Sequence, residues 1–114
     1  MKQIIVIRKD LKCRRGKEIA QGAHASLKAT LENLDDPRVK TWLDGAFTKI
    51  CVVVNSEEEL LELQRQAIDN GLITGLIRDN GLTEFGGVPT YTTLAIGPDL
   101  PERLAPVTGH LKLY

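Results

Sequence analysis

The chain has 114 residues, 42% of them hydrophobic, with 15 basic and 15 acidic side chains, which implies one domain over residues 1–114 and excludes a disordered chain. Its apolar runs fall far short of the roughly 20 residues a membrane helix needs, and Ile4–Ile7 is too short for the core of a secretion signal, so no membrane partner and a cytoplasmic location are expected. Zero net charge excludes a globally basic nucleic-acid binder, yet residues 1–28 carry eight Lys or Arg against two acids, a local +6 that leaves −6 elsewhere; a polyanion-binding face and a merely solvated surface both fit this asymmetry.

Ile4 to Arg8 is short, apolar and rich in Ile and Val, the pattern of a buried strand. A helix is predicted from about Gly16 to Leu34, where Ile19, Ala23, Leu27, Thr30, Leu31 and Leu34 recur at three- and four-residue steps as its apolar stripe. Asp36-Pro37 reads as an N-cap with proline at the first helical position, opening a helix through Trp42 that closes near Gly45. Ile50 to Val54 is a second buried strand. Ser56 with Glu59 fits a capping box for a helix that runs to about Asn70 and stops at Gly71. Leu72 to Ile77 and Tyr91 to Ile96 are the third and fourth strands, separated by a loop marked by Gly81, Gly86, Gly87 and Pro89. A turn of helix near Leu100 to Leu104 and an extended tail finish the chain. Alternating strands and helices imply an α/β layered domain. Continuously apolar strands imply helices on both faces of the sheet. The third connection lacks a helix, which allows a mixed sheet.

The first helix concentrates the chemistry. At about 100° per residue, Lys17, Gln21, His24 and Lys28 share one face within about 60°. Arg14 and Arg15 stand just ahead of the helix, and Lys17 lies in its first turn. Cations there oppose the helix dipole by about 0.3–1 kcal/mol each, a penalty that a bound phosphate would reverse. Asp79-Asn80-Gly81-Leu82-Thr83 follows the third strand; it fits an ordinary turn, or a carboxylate presented at a strand end, where α/β sheets place their sites. Thr83, Thr90, Thr92 and Thr93 add hydroxyls.

Other chemistries find little support. Ser26 and Ser56 lie in no nucleophile elbow. Cys13 and Cys51, the only cysteines, read as free thiols. A Cys13–His24 nucleophilic pair is conceivable from the basic neighbours of Cys13. His24, His110, Cys13 and Cys51 lack metal-ligand spacing, and no phosphate-binding glycine loop occurs. With no protein nucleophile evident, water is the expected attacking group.

Four ordered motifs then carry a resemblance over nearly the whole chain. The segment Arg8-Lys9-Asp10-Leu11-Lys12 followed by Gly16-Lys17-Glu18-Ile19-Ala20-Gln21-Gly22-Ala23-His24-Ala25 resembles the opening signature of peptidyl-tRNA hydrolases of the archaeal and eukaryotic type. Asp79-Asn80-Gly81-Leu82-Thr83-Glu84, Thr92-Thr93-Leu94-Ala95-Ile96-Gly97-Pro98 and Val107-Thr108-Gly109-His110-Leu111-Lys112-Leu113 resemble its later motifs. The resemblance implies a three-layer α/β/α domain with a four-stranded mixed sheet, often a homodimer. It implies hydrolysis of the ester between a peptide and tRNA, with no metal or organic cofactor. It places the catalytic residues at Lys17, His24, Asp79, Thr83 and Thr92. We assign tRNA contact to Lys12, Arg14, Arg15, Gln21 and Lys28. Cys13 stands where the family commonly has Met, which argues against a cysteine nucleophile. Asn80 and Glu84 also depart from the family pattern, and the stretch from Glu84 to Thr90 is one residue longer. Two other classes remain open: a non-catalytic RNA-binding domain using the same basic face, which would not need Asp79, and a protein-interaction adaptor using Glu57, Glu58 and Glu62.

Overall fold

A computed structural model describes residues 1–81 and 85–114. Four strands form one sheet: β1 (Lys2–Arg8), β2 (Lys49–Val54), β3 (Thr74–Asp79) and β4 (Thr90–Asp99). Their order is β2-β1-β4-β3. β1 and β2 are parallel, while β4 runs antiparallel to both β1 and β3. The sheet is therefore mixed, and the turn from β3 to β4 needs no crossover helix. Four helices complete the fold: α1 (Arg15–Leu31), α2 (Pro37–Asp44), α3 (Glu57–Asp69) and α4 (Pro101–Thr108).

Both sheet faces are covered, as continuously apolar strands require. Ile4, Val6, Leu94 and Ile96 point to α3 and α4, meeting Leu60, Leu63, Leu104 and Val107. On the opposite face, Ala95 and Ile73 meet Ala25 and Ala29 of α1 and Val39 of α2. The caps form as their sequence signals predict. Asp36 accepts the Arg38 N–H at 2.9 Å ahead of Pro37. Ser56 accepts the Glu59 N–H at 3.0 Å, though Glu59 reaches back to the N–H of Asn55, not of Ser56.

Three expectations need correction. The apolar stripe of α1 is not its packed face. Ile19 is 67% exposed, Leu27 57%, Leu31 56% and Leu34 48%. The packed face is Gln21, Gly22, Ala25, Ala29 and Thr30. Small side chains win because they let the helix lie almost on the sheet. A Cβ on Gly75 of β3 would stand 2.8 Å from both the Ala25 carbonyl oxygen and the Ala29 nitrogen, so the approach needs glycine on the strand and alanine on the helix. Second, β3 begins and ends two residues later than the apolar run suggests, which makes Asp79 its last residue. Third, β4 does not stop at Gly97-Pro98; it continues through that bond to Asp99. The helix after it reaches Thr108, and the tail then joins the β2 edge through a bridge between Leu113 and Val52. Among the described residues, no helix is long and apolar enough to cross a membrane.

Candidate active site

The site forms where the start of α1 meets the ends of β3 and β4. Along β3, Ile73, Gly75, Ile77 and Asp79 alternate onto the α1 side, because successive strand residues point to opposite faces. Asp79 therefore arrives under the first two turns of α1. Its Oδ2 accepts Lys17 Nζ at 2.8 Å and Gln21 Nε2 at 2.7 Å. Its Oδ1 accepts the N–H of Gly81 at 2.7 Å, a local turn of the kind aspartate favours. Gly81 has φ +78°, and a Cβ there would collide with the backbone of Val88 at 2.2 Å. Glycine is thus required for the turn that holds the carboxylate.

A β-bulge supplies the other wall. Ile77 pairs with Thr93, but Arg78 pairs with Tyr91, so Thr92 is an extra residue in β4. In a regular strand Thr92 would face α3 and α4, as Leu94 does. The bulge turns it to the α1 side together with Thr93. Thr92 Oγ1 donates to Gln21 Oε1 at 2.9 Å, and Thr93 Oγ1 donates to Thr92 Oγ1 at 3.3 Å. The Gln21 amide bridges Thr92 and Asp79, its oxygen accepting from Thr92 and its nitrogen donating to Asp79, and Gln21 is only 4% exposed.

The electrostatics follow from these bonds. The hydrogen bond from Lys17 is the main influence holding the Asp79 carboxyl below its ordinary value, with the Gly81 N–H next; desolvation opposes them. Asp79 is therefore ionised at neutral pH and a weak proton acceptor. Lys17 and Asp79 side chains retain 19% and 13% of their exposure, enough for a ligand to reach them. The Phe85 ring lies with its centroid 6.0 Å from Lys17 Nζ.

The structure brings Lys17, Asp79 and Thr92 together, with Gln21 as the connecting amide. Thr83 lies outside the described residues. His24 is exposed one turn beyond Gln21, and no hydrogen bond among the described residues ties it to this cluster. Lys28 reaches the sheet edge, donating to the Leu76 carbonyl at 3.2 Å. Lys12, Arg14 and Arg15 are exposed around the start of α1. Sequence reasoning named Thr93 among the nearby hydroxyls but missed its bond to Thr92, the placement of Phe85 and the interior role of Gln21. The paired threonines were the only signal for the first; nothing in the sequence marks a bulge. Among the described residues, no cluster of His, Cys, Asp and Glu suits a metal ion. Cys13 is half-buried and Cys51 is exposed.

An apolar groove lies elsewhere. A cavity of about 500 Å³ opens on the opposite flank of α1, lined chiefly by Ile5, Ile7, Ile19, Gly22, Ala23 and Tyr114. Its walls are mainly apolar, and Glu18 at its rim accepts from the Tyr114 hydroxyl at 2.5 Å.

Comparison with known proteins shows the family of this chain. The family described as "Peptidyl-tRNA hydrolase PTH2" matches residues 1–114. Peptidyl-tRNA hydrolase of Methanocaldococcus jannaschii is 44% identical over 115 residues, covering 99% of both chains. That of Halobacterium salinarum is 46% identical over the whole of both chains. Probable peptidyl-tRNA hydrolase 2 of Dictyostelium discoideum is 41% identical, covering 99% of this chain and 54% of that protein. A solved protein of unknown function from Agrobacterium tumefaciens, Atu0240, is similar in fold at a TM-score of 0.67 and 12% identity, covering 99% of this chain and 96% of its own. By a family match over its full length and by relatives this similar end to end, the chain belongs to the peptidyl-tRNA hydrolase PTH2 family.

Proposed function

We propose that the Lys17–Asp79–Gln21–Thr92 cluster hydrolyses the ester between peptide and tRNA, with water as the nucleophile and no cofactor. The observation that carries this reading is the bidirectional use of Asp79. One oxygen is fixed by the Gly81 N–H, and the other is shared by Lys17 and Gln21. A depressed carboxyl is poorly suited to removing a proton outright. It suits holding an ammonium charged and orienting a water by hydrogen bonding. Lys17 then faces the oxyanion that forms when water adds to the ester carbonyl. Thr92 acts through Gln21 by fixing which amide end meets Asp79. His24, on the same helix face, contributes to handling the departing tRNA end, and Thr83 supplies a further hydroxyl.

Lys12, Arg14, Arg15 and Lys28 contact tRNA phosphates as exposed cations on two sides of the cluster. Gln21, assigned to tRNA contact from its place on the helix face, is better suited to positioning Asp79, because its amide is buried and doubly bonded. A non-catalytic RNA-binding domain is not favoured: it would gain nothing from a fixed carboxylate beside its cations. The enzyme works in the cytoplasm, where its substrate arises.

The exposed stripe of Ile19, Leu27, Leu31 and Leu34 supports a homodimer. Large exposed aliphatics concentrated on and just after α1, at 67% for Ile19, 57% for Leu27, 56% for Leu31 and 48% for Leu34, are the kind of surface that marks a protein interface.

The deciding experiment is release of the blocked amino acid from N-acetyl-aminoacyl-tRNA by the purified protein. Release that vanishes in Lys17→Met and Asp79→Asn supports the reading. A wild-type protein that binds tRNA and releases nothing overturns it.

A further inference from the structure

The segment Arg8-Lys9-Asp10 belongs to no part of the cluster, yet the Arg8 side chain reaches the backbone of Tyr91, the neighbour of Thr92. Arg8 closes β1. Its guanidinium grips Asp10 with two parallel bonds, Nε to Oδ1 at 3.2 Å and NH2 to Oδ2 at 2.7 Å. The remaining terminal nitrogen donates to the Tyr91 carbonyl at 2.9 Å. Tyr91 is the residue before Thr92, at the bulge that turns Thr92 toward Gln21. Asp10 lies in a 3-10 turn over Lys9–Leu11, which ends in the left-handed Lys12 at φ +54° and leads directly into Arg14 and α1. One side chain thus spans the bulged strand and the segment that presents Lys12, Arg14 and Arg15.

We propose that Arg8 is a positioning residue that fixes the Thr92 bulge and, through Asp10, the basic segment 12–15 that meets tRNA. This rests on the peptidyl-tRNA reading of the same site. An exposed ion pair contributes little to stability. This pair is different in geometry: a fork matching a carboxylate, on an arginine side chain only 10% exposed, with a third bond to the backbone. Only guanidinium offers a planar fork plus a further donor; an ammonium has no such fixed geometry. The left-handed Lys12 is a conformation that most residues avoid, and anchoring Asp10 two residues before it holds the segment in that shape.

The test turns on a sign. If Asp10 is only a surface acid, Asp10→Asn removes a negative charge beside several cations and tightens tRNA binding. If Asp10 anchors the segment, the same change weakens it. We expect Asp10→Asn to weaken binding of deacylated tRNA by about three- to tenfold, of the order one charged hydrogen bond supports, with kcat on N-acetyl-aminoacyl-tRNA kept within about twofold. Arg8→Gln should weaken binding equally and also lower kcat, since the bulge loses its anchor. Arg8→Lys should resemble Arg8→Gln, because charge without the fork does not restore the bonds. Tighter or unchanged tRNA binding by a folded Asp10→Asn overturns the proposal. So does full kcat in Arg8→Lys. If Arg8→Gln does not fold, Asp10→Asn and Arg8→Lys decide. Binding is read on deacylated tRNA, so failure of hydrolysis in the wild type condemns the catalytic reading without touching this result.

Discussion

Thr92 and Thr93 are neighbours in a strand, yet their hydroxyl oxygens lie 3.3 Å apart on the same face of the sheet. A regular strand would send them to opposite faces. The bulge opposite Ile77 and Arg78 makes the difference, and it turns an ordinary strand end into a site wall. Thr92→Val keeps the shape of the side chain and removes the donor to Gln21. The Gln21 oxygen is then unsatisfied in a buried place, at a cost of about 1–3 kcal/mol. We expect kcat to fall by about tenfold or more, with Thr92→Ser retaining most activity. Equal kcat values for the two variants would remove Thr92 from the site.

Asp79→Asn separates chemistry from binding. The amide cannot hold Lys17 as a charged partner or accept as strongly from water. Single-turnover hydrolysis with saturating enzyme should slow by about 10²–10⁴-fold, the usual range for such a group, while tRNA binding is kept or tightened. A fully active Asp79→Asn enzyme in that assay would sink the mechanism and leave the family membership untouched.

The same carboxylate gives a pH prediction. Its folded value is lowered, first by the Lys17 hydrogen bond and then by the Gly81 N–H, from an ordinary value of 3.8. A lowered carboxyl stabilises the fold in full above that ordinary value, and the contribution is lost as pH falls from there through the folded value. Near neutral pH the stabilisation is therefore complete and flat. Carbon-detected NMR titration of Asp79 should place its midpoint below 3.8 in the wild type and move it upward in Lys17→Met. A midpoint that stays put would show that Lys17 is not the main cause.

Much of this architecture was legible from local signals. Proline and aspartate at 36–37, serine at 56 and glycine at 71 each act through a bond or dihedral within a few residues, so the sequence reports them directly. The packed face of α1 was not legible in that way. A hydrophobic stripe normally marks the core side, but here Gly22, Ala25 and Ala29 pack and the large aliphatics do not. Their closeness to the sheet depends on Gly75, some fifty residues away, and no local pattern encodes that pairing. Lys17 and Asp79 were readable as chemistry. Their contact depends on β3 ending at Asp79, which its apolar run alone did not reveal.

That close packing makes two glycines behave oppositely. Gly75→Ala puts a Cβ 2.8 Å from two backbone atoms of α1, and backbone cannot yield as a side-chain end can. We expect a loss of about 1–3 kcal/mol in urea denaturation, together with reduced kcat as α1 lifts Lys17 from Asp79. Gly22→Ala meets only side-chain ends, Ile5 Cγ2 at 3.5 Å and Ile7 Cδ1 at 3.8 Å, both ordinary contacts. It should be neutral or stabilising by up to about 1 kcal/mol, the helix preference of alanine over glycine. Equal effects at both positions would contradict the account of how α1 seats.

The exposed stripe predicts an oligomeric change. Leu27→Asp with Leu31→Asp places two charges on the patch without touching the packed face of α1. Sedimentation should show a dimer in the wild type and a monomer in the double variant, with the circular dichroism spectrum unchanged. A wild-type monomer at micromolar concentration would leave this stripe without the partner assigned to it.

The last prediction concerns how tRNA is held. Arg14 is the N-cap of α1 and Arg15 its first residue, and both are exposed. Positive charge at that end opposes the helix dipole. Their presence is explained if phosphates sit over the free N–H groups. Each phosphate contact contributes about 0.7–0.9 to the slope of log affinity against log salt. Arg14→Ala with Arg15→Ala should therefore weaken tRNA binding and flatten that slope by roughly 1–2. A double variant that binds more weakly with an unchanged slope would point to a lost fold contact instead. An unchanged affinity and slope would move the tRNA to the Lys28 side of the cluster.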